Sequence, residues 1–283
     1  MLRWLRSPLA GERLRVHLRP ASIGLARRGV VPRPSGEGAR WFPVAAGISD
    51  GENPSEPWRA AVETLAAALR ERRRLTRVDV VLSDHFVRYL LIPWSRGLVS
   101  DTERLGFSQL AFRDRYGNGA DSWEICLDEP PAGQSSFACA ADRALVSGLR
   151  DIVTSAGGQL RSVTPAMMYC IHRHRAALGA AQFCFAAAEP ERISLAFYSG
   201  GGWQAVRSRR VDGSLPETLP ALLKQEAAAS DAPVGGTLYV CMDAAAGTSP
   251  VSVPGWQVIP LAPPGKSRRL ASRRLAAAEG RAA

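Results

Sequence analysis

Lysine is all but missing from this 283-residue sequence: Lys224 and Lys266 are the only two, against 34 arginines. So one-sided a choice reads as genome-wide composition, which makes the formal charge of +10 weak grounds for nucleic-acid binding. The arginines are dispersed apart from three runs, Arg70–Arg74, Arg207–Arg210 and Lys266–Arg274. No aromatic-rich ribonucleoprotein motif, zinc finger or helix-turn-helix pattern accompanies them. Contact with acidic proteins or anionic lipid explains the charge equally well, and nucleic acid is not the expected partner.

Long apolar runs are missing too. The longest, Gln182–Ala188, is strand-sized, well short of the roughly 20 residues that cross a bilayer. The basic start, Met1–Arg6, is followed by no apolar segment or small-residue cleavage site, so a cytoplasmic location is expected. Cys126, Cys139, Cys170, Cys184 and Cys241 are an odd, scattered set without a C-x-x-C pair. That argues against a disulfide framework and against zinc, leaving reduced, buried thiols as the expectation.

What is present reads as a globular chain of about two domains, 46% hydrophobic and 22% charged. Leu14–Leu18, Ile23–Ala26 and Trp41–Ala45 read as strands. Ser55-Glu56-Pro57 opens a helix that carries Trp58, Val62, Leu65 and Leu69 on one face. Val78–Leu82 and Phe86–Ile92, joined by Ser83-Asp84-His85, predict a β-hairpin. Ser100-Asp-Thr-Glu103 is a capping box for a helix that runs to Tyr116 and stops at Gly117. Strands at Ser122–Leu127 and Ser136–Ala140 follow, then a helix capped by Asp142, a strand at Leu160–Val163 and a helix at Ala166–Leu178. A second unit repeats the scheme: strands at Phe183–Ala187, Ile193–Tyr198 and Trp203–Arg207, a helix at Leu215–Ala229, and strands at Thr237–Cys241 and Trp256–Pro260.

Meander, helix, strand, helix, twice over, is how actin-like proteins are built. The stretch Arg77–Trp94 with the capped helix Ser100–Tyr116 resembles the small subdomain inserted into PilM-type proteins, the actin-like cytoplasmic components of type IV pilus assembly. The cytoplasmic part of the type II secretion protein GspL is organised similarly. Asp121-Ser122-Trp123-Glu124, Phe137–Gly157 and Leu160–Ala166 match the strands and helix that follow in that family. The hairpin is the feature this resemblance leans on most. The fold it implies is α/β and actin-like (ribonuclease H-like), in two halves with an inserted small α+β subdomain. Residues 12–76 and 159–179 would make the first half, 77–158 the insertion, 180–262 the short second half, and 263–283 a basic tail.

An active actin-like ATPase cradles phosphates on two hairpin turns that combine an acidic residue with glycine. Here the first turn falls within Val16–Gly24, which has no Asp and places Pro20 where an amide donor is wanted. The second falls within Ala186–Arg192, where Pro190 stands in place of glycine between Glu189 and Glu191. Gly200-Gly201-Gly202 leads into a strand rather than a helix N-terminus, so it reads as a hairpin turn. Elsewhere, His172 and His174 point to different sides of their helix, His85 beside Asp84 lacks a nucleophile, and Met167-Met168 reads as core. Neither a catalytic residue nor a cofactor or metal is assigned.

The resemblance implies a pseudo-ATPase: a non-catalytic cytoplasmic scaffold, peripheral on the inner membrane, in a type IV pilus or type II secretion-like platform. Its partner would be a membrane-anchored assembly protein with a short cytosolic tail, or the secretion or pilus ATPase. Tyr89, Trp94 and Trp123 are the candidate anchors for such a partner. Trp4, Lys266, Arg268, Arg269, Arg273 and Arg274 are candidates for touching an anionic membrane or an acidic partner. Two alternatives are an actin-superfamily phosphotransferase or ATPase with atypical phosphate loops, and a basic nucleic-acid-binding protein.

Overall fold

The computed structural model describes residues 12–27, 40–44, 56–72, 75–98, 100–179, 181–229, 235–242 and 251–261. Its two halves are five-stranded sheets of the same order. In the first, β3 (Arg40–Pro43), β2 (Ser22–Arg27) and β1 (Glu12–Leu18) are an antiparallel meander. β4 (Leu75–Leu82) continues it parallel to β1, and β8 (Gln159–Pro165) lies parallel to β4 at the edge. In the second, β11 (Gly202–Arg210), β10 (Arg192–Ser199) and β9 (Phe183–Glu189) repeat the meander. There β12 (Gly236–Met242) and β13 (Trp256–Leu261) extend the sheet in parallel. The central strands are apolar on both faces because both faces are covered: Val78, Val80, Val81 and Leu82 of β4 and Phe183–Ala188 of β9 are all buried.

α1 (Arg59–Arg70) buries Ala61, Val62, Leu65, Ala68 and Leu69, the face that the spacing predicts. It begins later than Ser55-Glu56-Pro57 suggests: Trp58 takes the N-cap position without a side-chain bond to the helix backbone, and Glu56 pairs with Arg59. α2 (Asp101–Tyr116) has the predicted capping box, Glu103 N to Ser100 Oγ at 3.2 Å and Ser100 N to Glu103 Oε2 at 2.9 Å. Gly117 ends it at φ 79°, a conformation that glycine adopts without a Cβ penalty. Asp142 caps α3 (Arg143–Ser155), and α4 (Ala166–His174) stops short of the Leu178 expected. α5 (Leu215–Ala229) brings the buried Glu226 onto Arg207 and Arg209 of β11, at 3.0 and 3.1 Å.

The hairpin expected between Val78–Leu82 and Phe86–Ile92 does not form. Both edges of β4 are already taken, by β1 and β8, so no ladder is left for a returning arm. A 3-10 turn at Asp84–Phe86 carries the chain out of the sheet, and β5 (Val87–Ile92) pairs with β7 (Ser136–Asp142) instead. β6 (Trp123–Leu127) takes the other edge of β7, completing a separate three-stranded sheet. That sheet starts at Val87, not at Arg77. Its helices do not share one face as expected. α2 covers one face through Phe112, against Leu90, Ile92, Ala138 and Ala140, whereas α3 packs chiefly on α1 and β8 and touches β6 and β7 less extensively.

The other face of the small sheet joins the main core. Tyr89 meets Phe137 at 5.7 Å between ring centroids, Phe137 meets Trp203 of β11 at 5.6 Å, and Trp203 meets Phe183 of β9 at 5.9 Å. Rings this close in edge-on arrangements add roughly 0.5–1.5 kcal/mol each beyond their buried area. The insertion is therefore fixed against the second half as well as the first.

The fully buried Phe112 carries the α2 side of the small sheet, while Leu110 on the same helix is 65% exposed. Phe112→Ala is expected to cost about 3–5 kcal/mol in urea unfolding. Leu110→Ala is expected to cost under about 0.5 kcal/mol. Equal costs would contradict this packing.

Candidate functional site: the cleft between the halves

Three turns meet where the two sheets face each other. The β1–β2 turn, Leu18–Ser22, is closed by Arg19 N to Ser22 O at 3.0 Å and contains no acidic side chain. The β9–β10 turn is Pro190-Glu191, with Glu191 at φ 57°, a left-handed conformation uncommon outside glycine. Between them lies the turn that leaves β4. Its contacts cross the cleft: Asp84 N donates to Glu189 Oε2 at 2.7 Å, and Ser83 Oγ donates to the same oxygen at 3.0 Å. His85 Nε2 donates to the carbonyl of Pro190 at 2.8 Å.

These bonds draw the turns together across the cleft. The cavity remaining among His17, Arg19, Ser83, Glu189, Cys170 and Cys241 measures about 30 Å³. That is room for one or two waters, against roughly 300–1,000 Å³ for a small-molecule pocket. Part of Glu189 reaches the surface, but its carboxyl group is turned inward. Burial, then the nearby Asp84, pushes that group up to about 8. Asp84 is buried outright. Its Oδ1 accepts from Tyr89 Oη at 2.5 Å and from Met167 N at 3.2 Å, while Oδ2 has no partner. Burial raises the Asp84 carboxyl despite those bonds. His17 is held near 3, first by burial and then by Arg19, Arg15 and Arg173, so its imidazole is neutral. The arrangement is a hydrogen-bonded latch whose carboxyl groups are spent on the protein itself.

A roomier hollow lies on the other side of β4. It measures about 260 Å³ and runs between Cys126 and Cys139 of the small sheet, Val146 and Arg150 of α3, and Arg161 and Val163 of β8. β8 is the last strand of its sheet, so one row of its backbone groups lacks a strand partner among the described residues.

The residues singled out from sequence are not brought together. Tyr89 is 4% exposed and engaged with Asp84 and Phe137, a core residue rather than the surface anchor expected. Trp94 is 45% exposed and lines a separate hollow of about 210 Å³ with Leu98, Arg104 and Gln134. Trp123 is half-buried, edge-on to Phe112 and Tyr116. Trp4, Lys266, Arg268, Arg269, Arg273 and Arg274 lie outside the described residues. Gly200 and Gly201 turn β10 into β11 with φ of 60° and 86°, the hairpin turn expected of them. The Asp84–Glu189 contact was missed because Asp84 sits in what reads as an exposed turn. The one clue was its position between two strongly apolar runs.

No family model matches the chain, and no curated protein matches it in sequence. Solved structures do match its fold. The PilM–PilN type IV pilus biogenesis complex aligns with a TM-score of 0.57 at 16% identity, over 82% of this chain and 81% of that one. The cytoplasmic domain of EpsL, an inner-membrane component of the type II secretion system of Vibrio cholerae, gives 0.55 at 13% identity, over 88% and 90%. A Bacteroides thetaiotaomicron protein with an actin-like ATPase fold gives 0.54 at 11%, over 85% of each chain. The chain has an actin-like fold. The architecture expected from the resemblance is observed, although the paired arms on which that resemblance leaned are absent.

The raised carboxyl of Glu189 makes stability depend on pH. Its folded value of about 8 exceeds the ordinary 4.5, so the folded state binds the extra proton. Its stabilising contribution is complete below the ordinary value, falls as pH rises through the window between the two, and is gone above the folded one. Urea unfolding from pH 5 to 9 is expected to show this decline, and Glu189→Gln is expected to flatten it. The same slope in the variant would mean that Glu189 is not its source.

Proposed function

We propose that this protein is a non-catalytic scaffold of a type IV pilus or type II secretion-like assembly platform, cytoplasmic and peripheral on the inner membrane. It holds a short cytosolic tail of a membrane partner, or the assembly ATPase, in the hollow between β8 and the small sheet. The observation that carries this reading is the hollow itself. It is apolar along Val146, Val163 and the cysteines, flanked by Arg150 and Arg161, and lined by β8, a strand paired on one edge only among the described residues. An extended peptide adds to such an edge through main-chain hydrogen bonds and takes its specificity from side chains set in the groove.

Three further facts support the reading. The latch ties the two halves together across the cleft, and neither the β1–β2 turn nor the β9–β10 turn pairs an acidic residue with glycine. Among the described residues, no helix is long and apolar enough to cross a membrane, which suits a peripheral role. The solved structures with this fold include a PilM–PilN complex and an inner-membrane secretion component. Trp94 and Trp123 remain the candidate anchors for a larger partner, since both retain exposed surface.

Cytosolic tails of single-span membrane proteins encoded beside this gene, made as labelled peptides, test the proposal by fluorescence polarisation. One tail is expected to bind, and Val163→Arg and Ala141→Trp are each expected to weaken it at least tenfold, a loss of about 1.4 kcal/mol. Leu110→Ala, on the far side of α2, is expected to leave binding unchanged. A tail that binds all three variants like the wild type would remove the hollow from the account.

A further inference from the structure

Two cysteines that are distant in sequence meet at the junction of the halves. Cys170 lies on α4 of the first half and Cys241 on β12 of the second. Their sulfurs are 2.8 Å apart across a separation of 71 residues, and both side chains are buried. Together they form part of the wall of the 30 Å³ cavity behind the latch, opposite His17 and Glu189. We propose that Cys170 and Cys241 are a peroxide-reactive dithiol site, which closes to a disulfide between the two halves and reopens on reduction by a small dithiol.

The geometry selects the oxidant class. A cavity of this size admits water and molecules barely larger, such as hydrogen peroxide, but not a tripeptide disulfide such as oxidised glutathione. Cys241 is the attacking group. The hydrogen bond from Cys170, with lesser help from His174 and Arg173, holds its thiol down to about 6 against the opposing effect of burial. The thiolate is the nucleophile in such chemistry. Its sulfur attacks one peroxide oxygen: an S–O bond forms, the O–O bond breaks, and the departing hydroxide takes a proton to become water. The resulting sulfenic acid faces Cys170 directly. Attack by the Cys170 sulfur forms the S–S bond and breaks the S–O bond, and hydroxide leaves with the Cys170 proton as a second water. Two thiols lose two electrons and one peroxide gains them.

The remaining thiols provide an internal control. Cys126 and Cys139 also face one another, in register across β6 and β7, yet burial raises Cys126 and pushes Cys139 up to about 12. Cys184 is buried and raised as well. Cys126 and Cys139 are close without a stabilised thiolate and Cys184 is buried with a raised thiol, so all three are expected to react more slowly than Cys241.

The full-length reduced chain is treated with stoichiometric hydrogen peroxide, alkylated in denaturant, digested and mapped by mass spectrometry. A peptide joining Cys170 to Cys241, lighter by two hydrogens and lost on dithiothreitol treatment, is expected. The apparent Tm is expected to rise by roughly 10 °C, since the bond closes a long loop. Cys170→Ser and Cys241→Ala, checked for native circular dichroism, are expected to show neither change, and a sulfenic-acid trap is expected to label Cys241 in the former. The wild-type map stands even if a variant misfolds. Recovery of both thiols alkylated, or a cross-link between Cys126 and Cys139 alone, would overturn the proposal. A Cys170–Cys241 bond without a change in Tm would overturn the tie between the halves.

Discussion

A carboxyl group turned away from water must find its hydrogen bonds inside the protein, and Glu189 finds two of them on the turn that leaves β4. Leaving a buried acceptor unmet costs roughly 1–3 kcal/mol, so the turn and the second half are held against each other. Much of the molecule follows from that contact. Both edges of β4 are taken, so the chain must leave the first sheet there, and Ser83 and Asp84 fix the departing turn on Glu189 before β5 pairs with β7. The small sheet then lies within reach of β11, and the aromatic series from Tyr89 through Phe137 to Trp203 packs the third layer against the other two. The cleft shrinks to water size as a consequence of the same bonds.

Most of the architecture was legible because local signals and tertiary packing agree. The capping box at Ser100, the stop at Gly117, the Asp142 cap and the three-glycine turn all do in the structure what their chemistry suggests. The doubled strand order follows from two meanders, each with a helical crossover to a parallel strand. What could not be read was pairing at a distance. Val78–Leu82 and Phe86–Ile92 are both apolar and adjacent, which suits a hairpin. It suits two central strands of different sheets equally well, and only the occupancy of β4's edges decides. Periodicity does not carry that information.

The same limit explains the site residues. Asp84 and His85 look like solvated turn residues, because turn chemistry and burial of a turn leave the same mark on a short polar run. Tyr89 looks like a surface aromatic, and its hydroxyl is in fact the donor that makes a buried Asp84 tolerable. Cys170 and Cys241 look like isolated small hydrophobes until α4 and β12 are brought together. A fold shared with ATPases says little about chemistry on its own, since function resides in the site. Here the cavity at the cleft is about 30 Å³, and the hollow at the junction with the inserted sheet is about 260 Å³.

The central proposal is that, with the Ser83–His85 turn bound to Glu189-Pro190 across the cleft, the chain works without a nucleotide. Isothermal titration of the full-length chain with ATP and Mg²⁺ tests this most directly, with Glu189→Ala measured alongside. The account predicts no saturable heat in the wild type and no turnover in either protein. Sub-micromolar binding of ATP, or hydrolysis that Glu189→Ala abolishes, would contradict it.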